Sequence, residues 1–315
     1  MVTLKGIIDQ SFYMSNIVVV GSSNTDMVVK TKRFPEPGET ILGGDFFMFP
    51  GGKGANQAIA AARAGGDVSF ICSVGNDVFG QNALKGYKKD SISIDFVKIV
   101  EDVASGVALI TVNSQGENEI VVASGANSLL TQDHVSDALS RIGDVDIVLT
   151  QLETPVETVR FLANYCVAAK LPLIINPAPA QSLHKTILDG LFLITPNETE
   201  TKLLTGIAIT DDNSMEKASL ALLKKGVQNV IITLGNSGAF FYNENEKFMV
   251  PSVKVKAKDT TAAGDVFNGV LAVCLAQKRP WKDSIAYANK AAALSVTRMG
   301  AQTSAPSQME INKFI

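Results

Sequence analysis

Cysteine, histidine and long apolar runs are what this chain has little of. Its 315 residues include three cysteines, Cys72, Cys166 and Cys274, far apart and each set among apolar neighbours. An odd, dispersed set excludes a disulfide framework and offers no zinc spacing, so all three read as buried free thiols, and the expected compartment is the reducing cytoplasm. Only two histidines occur, His134 and His184, in polar segments expected at the surface. With imidazole so scarce, a Ser-His-Asp triad or a His-rich metal centre fits poorly. No run approaches the ~20 apolar residues of a membrane span, so no membrane association is expected, and residues 1 to 13 lack the apolar stretch of a signal peptide.

Excess positive charge is also missing. A formal net charge of −3 argues against a nucleic-acid partner, which advertises itself as a basic face. Local basic groups are small. Lys30 and Lys32-Arg33 read as a solvated turn, and the alternating Lys254, Lys256 and Lys258 read as the wet face of a strand, an edge guarded by charge.

What is present is 46% hydrophobic and 19% charged residues, the balance of a soluble globular protein with a large core. Strong patterning starts at Asn16-Ile17-Val18-Val19-Val20-Gly21, which makes residues 1 to 15 an extension ahead of one domain over 16–315. Short β-branched runs recur at Ile17–Gly21, Val68–Gly75, Asp146–Leu152, Leu171–Pro177, Leu191–Asn197 and Val230–Gly235, and such runs suit strands buried on both faces. Between them, 131 to 142, 155 to 170 and 213 to 225 carry apolar residues at helical intervals, and two more helices are expected near 264–277 and 281–298. The predicted fold class is α/β, a mostly parallel sheet with helices on both faces. Residues 26–50 and 103–125 break the rhythm and read as paired strands, with Ser114-Gln115-Gly116-Glu117 as a hairpin turn. Together they form a predicted β-lid over the carboxyl ends of the parallel strands, where open α/β sheets bind ligands.

The chemistry concentrates in Asp259-Thr260-Thr261-Ala262-Ala263-Gly264-Asp265, which leads into the apolar run from Val266. This reads as a loop turning into a helix, whose first-turn N–H groups form an anion site. Asp265 is then either a base beside a phosphate or a helix cap, and the spacing suits both. Phe49-Pro50-Gly51-Gly52-Lys53-Gly54-Ala55-Asn56-Gln57 resembles a phosphate loop but lacks Gly-Lys-Ser/Thr, and the loop after Val20 lacks Gly-x-Gly-x-x-Gly, so neither a Walker nor a dinucleotide-binding reading holds. Asn24, Asp26, Lys53 and Asn56 offer donors and acceptors on open backbone, a set suited to a polyol, although Asn24 and Asp26 also suit simple turns. Glu153 and Asn197 follow apolar strands, at the ends where ligands bind. Thr233-Leu234-Gly235-Asn236-Ser237-Gly238 reads equally as a hairpin or a nucleotide loop.

In order, Gly-Ser-x-Asn-x-Asp at 21 to 26, Gly-Gly-Lys-Gly-Ala-Asn at 51 to 56, Gln-Leu-Glu at 151 to 153, Asn-x-x-Glu at 197 to 200 and the Asp-Thr-x-Ala-Ala-Gly-Asp loop resemble the ribokinase (PfkB-type) carbohydrate kinase family, from about residue 16 to the C-terminus. The resemblance implies an ATP-dependent sugar kinase. Asp265 would activate the sugar's primary hydroxyl, with backbone N–H groups around Ala262, Ala263 and Gly264 stabilising the transferring phosphoryl. Asn24, Asp26, Gly52, Lys53, Asn56 and Glu153 would hold the pentose. Asn197, Thr233, Leu234, Gly235, Asn236, Ser237, Gly238, Gly264 and Asn289 would contact ATP, with Glu200 organising Mg²⁺ through water. A potassium-like ion would lie near Asp259, Thr261, Ser295, Arg298, Gly300 and Ser304, several through backbone oxygens. Asn24 stands where the family reads the sugar's 2-hydroxyl, which implies ribose. Kinases of deoxyribose, fructose or a nucleoside, and a non-catalytic sugar sensor on the same fold, stay open. The lid strands imply a homodimer. Many members carry Gly at the position of Ala262.

Overall fold

The computed structural model describes residues 15–314, so all but the last residue of the expected N-terminal extension lies outside the described residues. Strand β1 (Asn16–Val20) enters the middle of a large sheet. The chain leaves it for a hairpin, β2 (Asn24–Lys30) and β3 (Phe46–Gly51), and returns through α1 (Lys53–Arg63) to β4 (Asp67–Gly75), α2 (Val78–Lys89) and β5 (Val97–Val100). A second excursion makes β6 (Gly106–Val112) and β7 (Asn118–Ala123). There follow α3 (Gln132–Arg141), β8 (Ile147–Thr150), α4 (Val156–Ala169), β9 (Leu173–Ile175), α5 (Lys185–Leu188), β10 (Leu193–Ile194), α6 (Glu198–Thr205), α7 (Asp212–Leu223), β11 (Asn229–Thr233), β12 (Ala239–Asn243) and β13 (Lys247–Val250). The chain closes with α8 (Ala263–Ala276), α9 (Trp281–Ser295) and α10 (Gln308–Lys313).

The strand order is β13-β12-β11-β10-β9-β8-β1-β4-β5, parallel from β5 through β11, with β12 and β13 antiparallel at one edge. Alternation along each strand feeds two cores. Ile17, Val19, Leu149 and Ile231 pack beneath α1, α8 and α9, whereas Val18, Val20, Val148 and Ile232 face α3, α4 and α7. Continuous apolar runs are therefore what this sheet requires, since neither face meets water. From β1 the succession goes one way to β4 and β5, then the other way from β8 to β11. The crevice between the carboxyl ends of β1 and β8 is the switch point at which such sheets bind ligands.

The lid is a second sheet of order β3-β2-β6-β7, with the 113–117 turn closed by Asn113, whose Oδ1 accepts from the N–H groups of Gln115 and Glu117. Its strands carry large exposed apolar side chains, including Phe46, Met48, Leu109, Ile120 and Val121.

Three expectations change. Lys254, Lys256 and Lys258 do not lie on a strand: the ladder stops at Val250 because Pro251 has no N–H to continue it, and the segment runs on outside any strand until Lys258 N donates to the Val296 carbonyl (2.7 Å). Its lysines are exposed as the alternation implied. The run 191–197 is a strand only at Leu193 and Ile194, with one further bridge from Asn197 to Thr233, because Asn197 is already the N-cap of α6. His134 is half-buried rather than free at the surface, its Nε2 lying 2.8 Å from the Phe96 carbonyl, while His184 is exposed. The three cysteines are buried free thiols. No helix among the described residues is long and apolar enough to cross a membrane.

Candidate active site

The site is assembled where α1 and α8 start. Two glycines let the N-terminus of α1 reach the end of β1. Gly52 has φ +86°, and a Cβ there would lie 2.6 Å from Asn24 N; a Cβ on Gly54 would lie 2.4 Å from Ser22 N. The Glu153 carboxylate, from the turn after β8, closes this junction by accepting from Ser22 Oγ (2.5 Å) and Lys53 N (2.9 Å). A negative group at that helix terminus is where the dipole favours it.

Helix α8 crosses α1 closely, since a Cβ on Gly269 would sit 2.5 Å from the Gln57 carbonyl oxygen. One turn earlier on α8 stands Asp265, 6% exposed. It does not cap the helix. The N-cap is Ala262, in the left-handed region at φ 61°, and no side chain caps the α8 N-terminus. That conformation costs a non-glycine residue roughly 1 kcal/mol or more and explains why Gly suits this position. Both oxygens of Asp265 are instead held by α1: Asn56 Nδ2 donates to Oδ2 (3.0 Å) and Gln57 Nε2 to Oδ1 (2.9 Å). Ala263 N donates to the Thr260 carbonyl (3.3 Å), no side chain caps the rest of the first turn, and an added Cβ at Gly264 would meet nothing within 4 Å.

Asn24 is also fixed. Asn127 Nδ2 donates to Asn24 Oδ1 (2.7 Å) and to the Ser23 carbonyl (3.2 Å), while Asn127 Oδ1 accepts from Ser23 N (2.8 Å). The Asn24 oxygen is thereby occupied, and its amide N–H groups remain for a ligand.

Asp26, Glu153, Glu200 and Asp265 all lie close enough to Lys53 to act on its charge, and Asp265 chiefly raises the Lys53 ammonium above its ordinary value while burial opposes it. Burial, then Glu153 and Asp265, push the Asp26 carboxyl up to about 6, with Lys53 working the other way. Glu200 is raised by burial, against the hydrogen bond from Asn197 N. Asp26 gives a stability signature. Its folded value lies above the ordinary 3.8, so native and unfolded chains are both protonated at low pH. As pH rises from about 4 to about 6 the unfolded chain ionises first and native stability falls; above that window the loss is constant. Asp26→Asn is therefore expected to raise the melting temperature of the ligand-free protein at pH 8 and leave it nearly unchanged at pH 4, with a ceiling of about 3 kcal/mol. Thermal melts at the two pH values check this; an equal shift at both contradicts it.

Beside this cluster a cavity of about 660 Å³ is lined by Lys53, Asn197, Glu200, Thr233, Gly235, Asn236, Gly238, Gly264, Asp265 and Asn289. Lys53, expected on the sugar, thus also faces this second space. The 252–257 segment, including Ser252, Val253, Val255 and Ala257, forms another wall, which sequence reasoning missed. Asn289 holds it there by donating to the Val250 (3.0 Å) and Pro251 (3.4 Å) carbonyls. The 233–238 loop is both things its spacing allowed, a hairpin between β11 and β12 and a cavity wall. Leu234 and Ser237 are not on that wall: Leu234 packs into the core under α7, and Ser237 N closes the turn onto the Leu234 carbonyl. Asn197 and Glu200 form a capping box, with the Glu200 carboxylate accepting from Asn197 N (2.8 Å) and Nδ2 (3.0 Å).

Of the six residues expected around a monovalent ion, Asp259, Thr261 and Gly300 are joined where the 259–261 loop meets the chain after α9. Asp259 accepts from Thr261 N (2.9 Å) and Gly300 N (2.8 Å), and although burial opposes them these bonds hold its carboxyl below the ordinary range. Ser295 and Ser304 turn their hydroxyls to the Ala292 and Ala301 carbonyls, and Arg298 reaches away to Glu310. The Asp259 carboxylate and the backbone oxygens of this loop are the kind of donor a hard cation takes.

Besides Asn127, sequence reasoning missed Gln57, Gln151 and Asn176, all buried. A usable signal existed for Gln57, since a glutamine interrupts an otherwise alanine-rich apolar helix face directly after Asn56.

A switch-point crevice, a polar pocket beside the second sheet ending in a carboxylate at a helix mouth, and an adjoining cavity suit an α/β small-molecule kinase. The sequence model of the pfkB family carbohydrate kinases matches residues 14–308, and the chain belongs to that family. It is 39% identical to a ribokinase of Haemophilus influenzae over 95% of this chain and 98% of the relative. The structure of Arabidopsis thaliana ribokinase complexed with ribose and ATP superposes with a TM-score of 0.88 at 29% identity, covering 96% of this chain and 98% of that one. A deoxyribokinase of Salmonella typhi is 33% identical over 95% of this chain and 98% of the relative.

Proposed function

We propose that this protein is a ribokinase, transferring the terminal phosphoryl group of ATP to the 5-hydroxyl of D-ribose. The observation that carries the chemistry is Asp265, a buried carboxylate pinned by two side-chain amides at the open mouth of α8. Ribose lies among Asn24, Asp26, Gly52, Lys53, Asn56 and Glu153 with its primary hydroxyl at Asp265. ATP occupies the adjoining cavity, its terminal phosphoryl toward the 262–264 backbone. Asp265 takes the hydroxyl proton as the oxygen attacks in line, and the N–H groups of the first helical turn with Lys53 stabilise the charge on the transferring group. Closure of the β2-β3-β6-β7 sheet excludes water, the competing acceptor.

Mg²⁺ entering with the nucleotide would neutralise phosphate charge. Glu200 would reach it through water, since both carboxylate oxygens already serve Asn197. Asp259, Thr261, Ser295, Arg298, Gly300 and Ser304, several through backbone oxygens, would hold a potassium ion, whose fixed positive charge would keep the 259–264 loop in shape. Activity is accordingly expected to be several-fold higher in KCl than in NaCl at equal ionic strength, and identical rates remove the ion from this reading. The exposed apolar residues of the lid support a homodimer joined there, and the free thiols with an ATP substrate support the cytoplasm as its location.

The test is a coupled assay with ATP and Mg²⁺ against ribose, 2-deoxyribose, fructose and adenosine. Turnover is expected with ribose above all others. Binding of ribose without turnover of any acceptor would replace the kinase with a sugar sensor.

A further inference from the structure

Two glutamines lie in the motifs around the site, and nothing in the mechanism above uses either of them. Gln57 follows Asn56 on α1 and is wholly buried, so it cannot touch a ligand. Its Nε2 donates to Asp265 Oδ1 (2.9 Å) and to Asn176 Oδ1 (3.0 Å), while its Oε1 accepts from Gln151 Nε2 (2.6 Å). Gln151 directly follows β8 and is 1% exposed, with its own Oε1 lacking a hydrogen-bond partner among the described residues. That oxygen is packed against Gly21, where an added Cβ would lie 2.1 Å from it. The chain of contacts therefore runs from the switch point to the carboxylate at the mouth of α8.

Direction is fixed along this chain. Gln151 gives an N–H to the Gln57 oxygen, so the Gln57 amide cannot flip, and its nitrogen must face Asp265. Retaining a buried oxygen without a partner costs about 1–3 kcal/mol, which is hard to account for by packing alone when an apolar residue would fill the same space. We propose that Gln57, oriented by Gln151, is the positioning residue of the reaction: it holds the Asp265 carboxylate in the one rotation that aims a free lone pair at the sugar hydroxyl. Asn56 alone leaves Oδ1 free to swing. Lys53 on α1, Asp26 on β2, Glu153 after β8 and Glu200 on α6 surround Asp265 electrostatically, and one cation among four carboxylates supplies no geometric hold. A misplacement of about 1 Å in such a group can cost about 10²-fold in rate.

This inference rests on Asp265 acting as the base, and a double-mutant cycle separates the two. Gln57→Met keeps the volume and removes the amide. It is expected to lower kcat for ribose by about 10–100-fold, with KM for ATP changed by less than about 2-fold. In an Asp265→Asn background the same change is expected to lower the residual kcat by less than about 3-fold, because the group it positions is already disabled. Gln151→Met, one step further away, should give a smaller loss of the same non-additive kind and serves in its place if Gln57→Met melts below the assay temperature. Equal fold-losses in both backgrounds mean a structural role only and overturn the proposal while leaving the base intact. Near-normal turnover of Asp265→Asn alone overturns the base, and this inference with it.

Discussion

Replacing Asp265 with Asn is expected to reduce kcat by ~10²–10⁴-fold while the protein melts close to the wild-type temperature. The two halves of that expectation come from different physics. The rate falls because an amide cannot accept the sugar proton. Stability stays because Asp265 is not the α8 cap, so no cap is lost, and its two donors meet an isosteric side chain. One of the Asn56 and Gln57 amides must then face an N–H group, a cost of about 1 kcal/mol. Neutralising Asp265 relieves its repulsion with Asp26 and Glu200 but also removes the chief counter-charge of the buried Lys53 ammonium, so the two electrostatic changes oppose each other. Steady-state kinetics with ribose, paired with a thermal melt, check both halves. Retained turnover removes the base assignment, whereas a large drop in melting temperature makes the carboxylate structural.

The second large effect concerns the sugar. Asn24 is 6% exposed and its oxygen accepts from Asn127, which on the proposed reading leaves its N–H groups for the sugar. A buried donor built for a hydroxyl is left unpaired when that hydroxyl is missing, and such sites discriminate by up to ~10⁴–10⁵-fold. Wild-type kcat/KM is accordingly expected to favour ribose over 2-deoxyribose by at least ~10²-fold. Asn24→Leu is expected to collapse that ratio to within about 10-fold of unity, mostly through loss on ribose. Equal wild-type efficiency on the two sugars would falsify the ribose assignment and move the protein to the deoxyribose-acting branch.

Much of the site was legible because its chemistry sits in contiguous stretches. Gly52 and Gly54 could be read as open backbone, and Asp265 as an acid at a loop-to-helix turn, from sequence neighbours alone. Whether Asp265 caps α8 or faces a substrate was not legible, since both readings demand the same local sequence. That it is not the cap follows from Asn56 and Gln57, some two hundred residues away, which hold both of its oxygens. Asn127 escaped for a similar reason: its partners Ser23 and Asn24 are about a hundred residues upstream, so no local pattern marks it. The strand expected through Lys258 failed because alternation reports which side chains meet water, and a segment outside any strand alternates as well as an edge strand does.

The sequence alone determined the α/β class, the two-faced sheet, the lid and the order of the ligand loops. Each of these follows from local periodicity and turn chemistry, which act over a few residues. Only the tertiary structure decided which acid stands free, which amides hold it, and that the 252–257 segment closes a cavity with the α6 and α8 termini. Those are contacts between elements far apart in the chain. They come into being when the close α1–α8 crossing at Gly269 and the turns at Gly52 and Gly54 bring the ends of β1, β8 and α8 to one point.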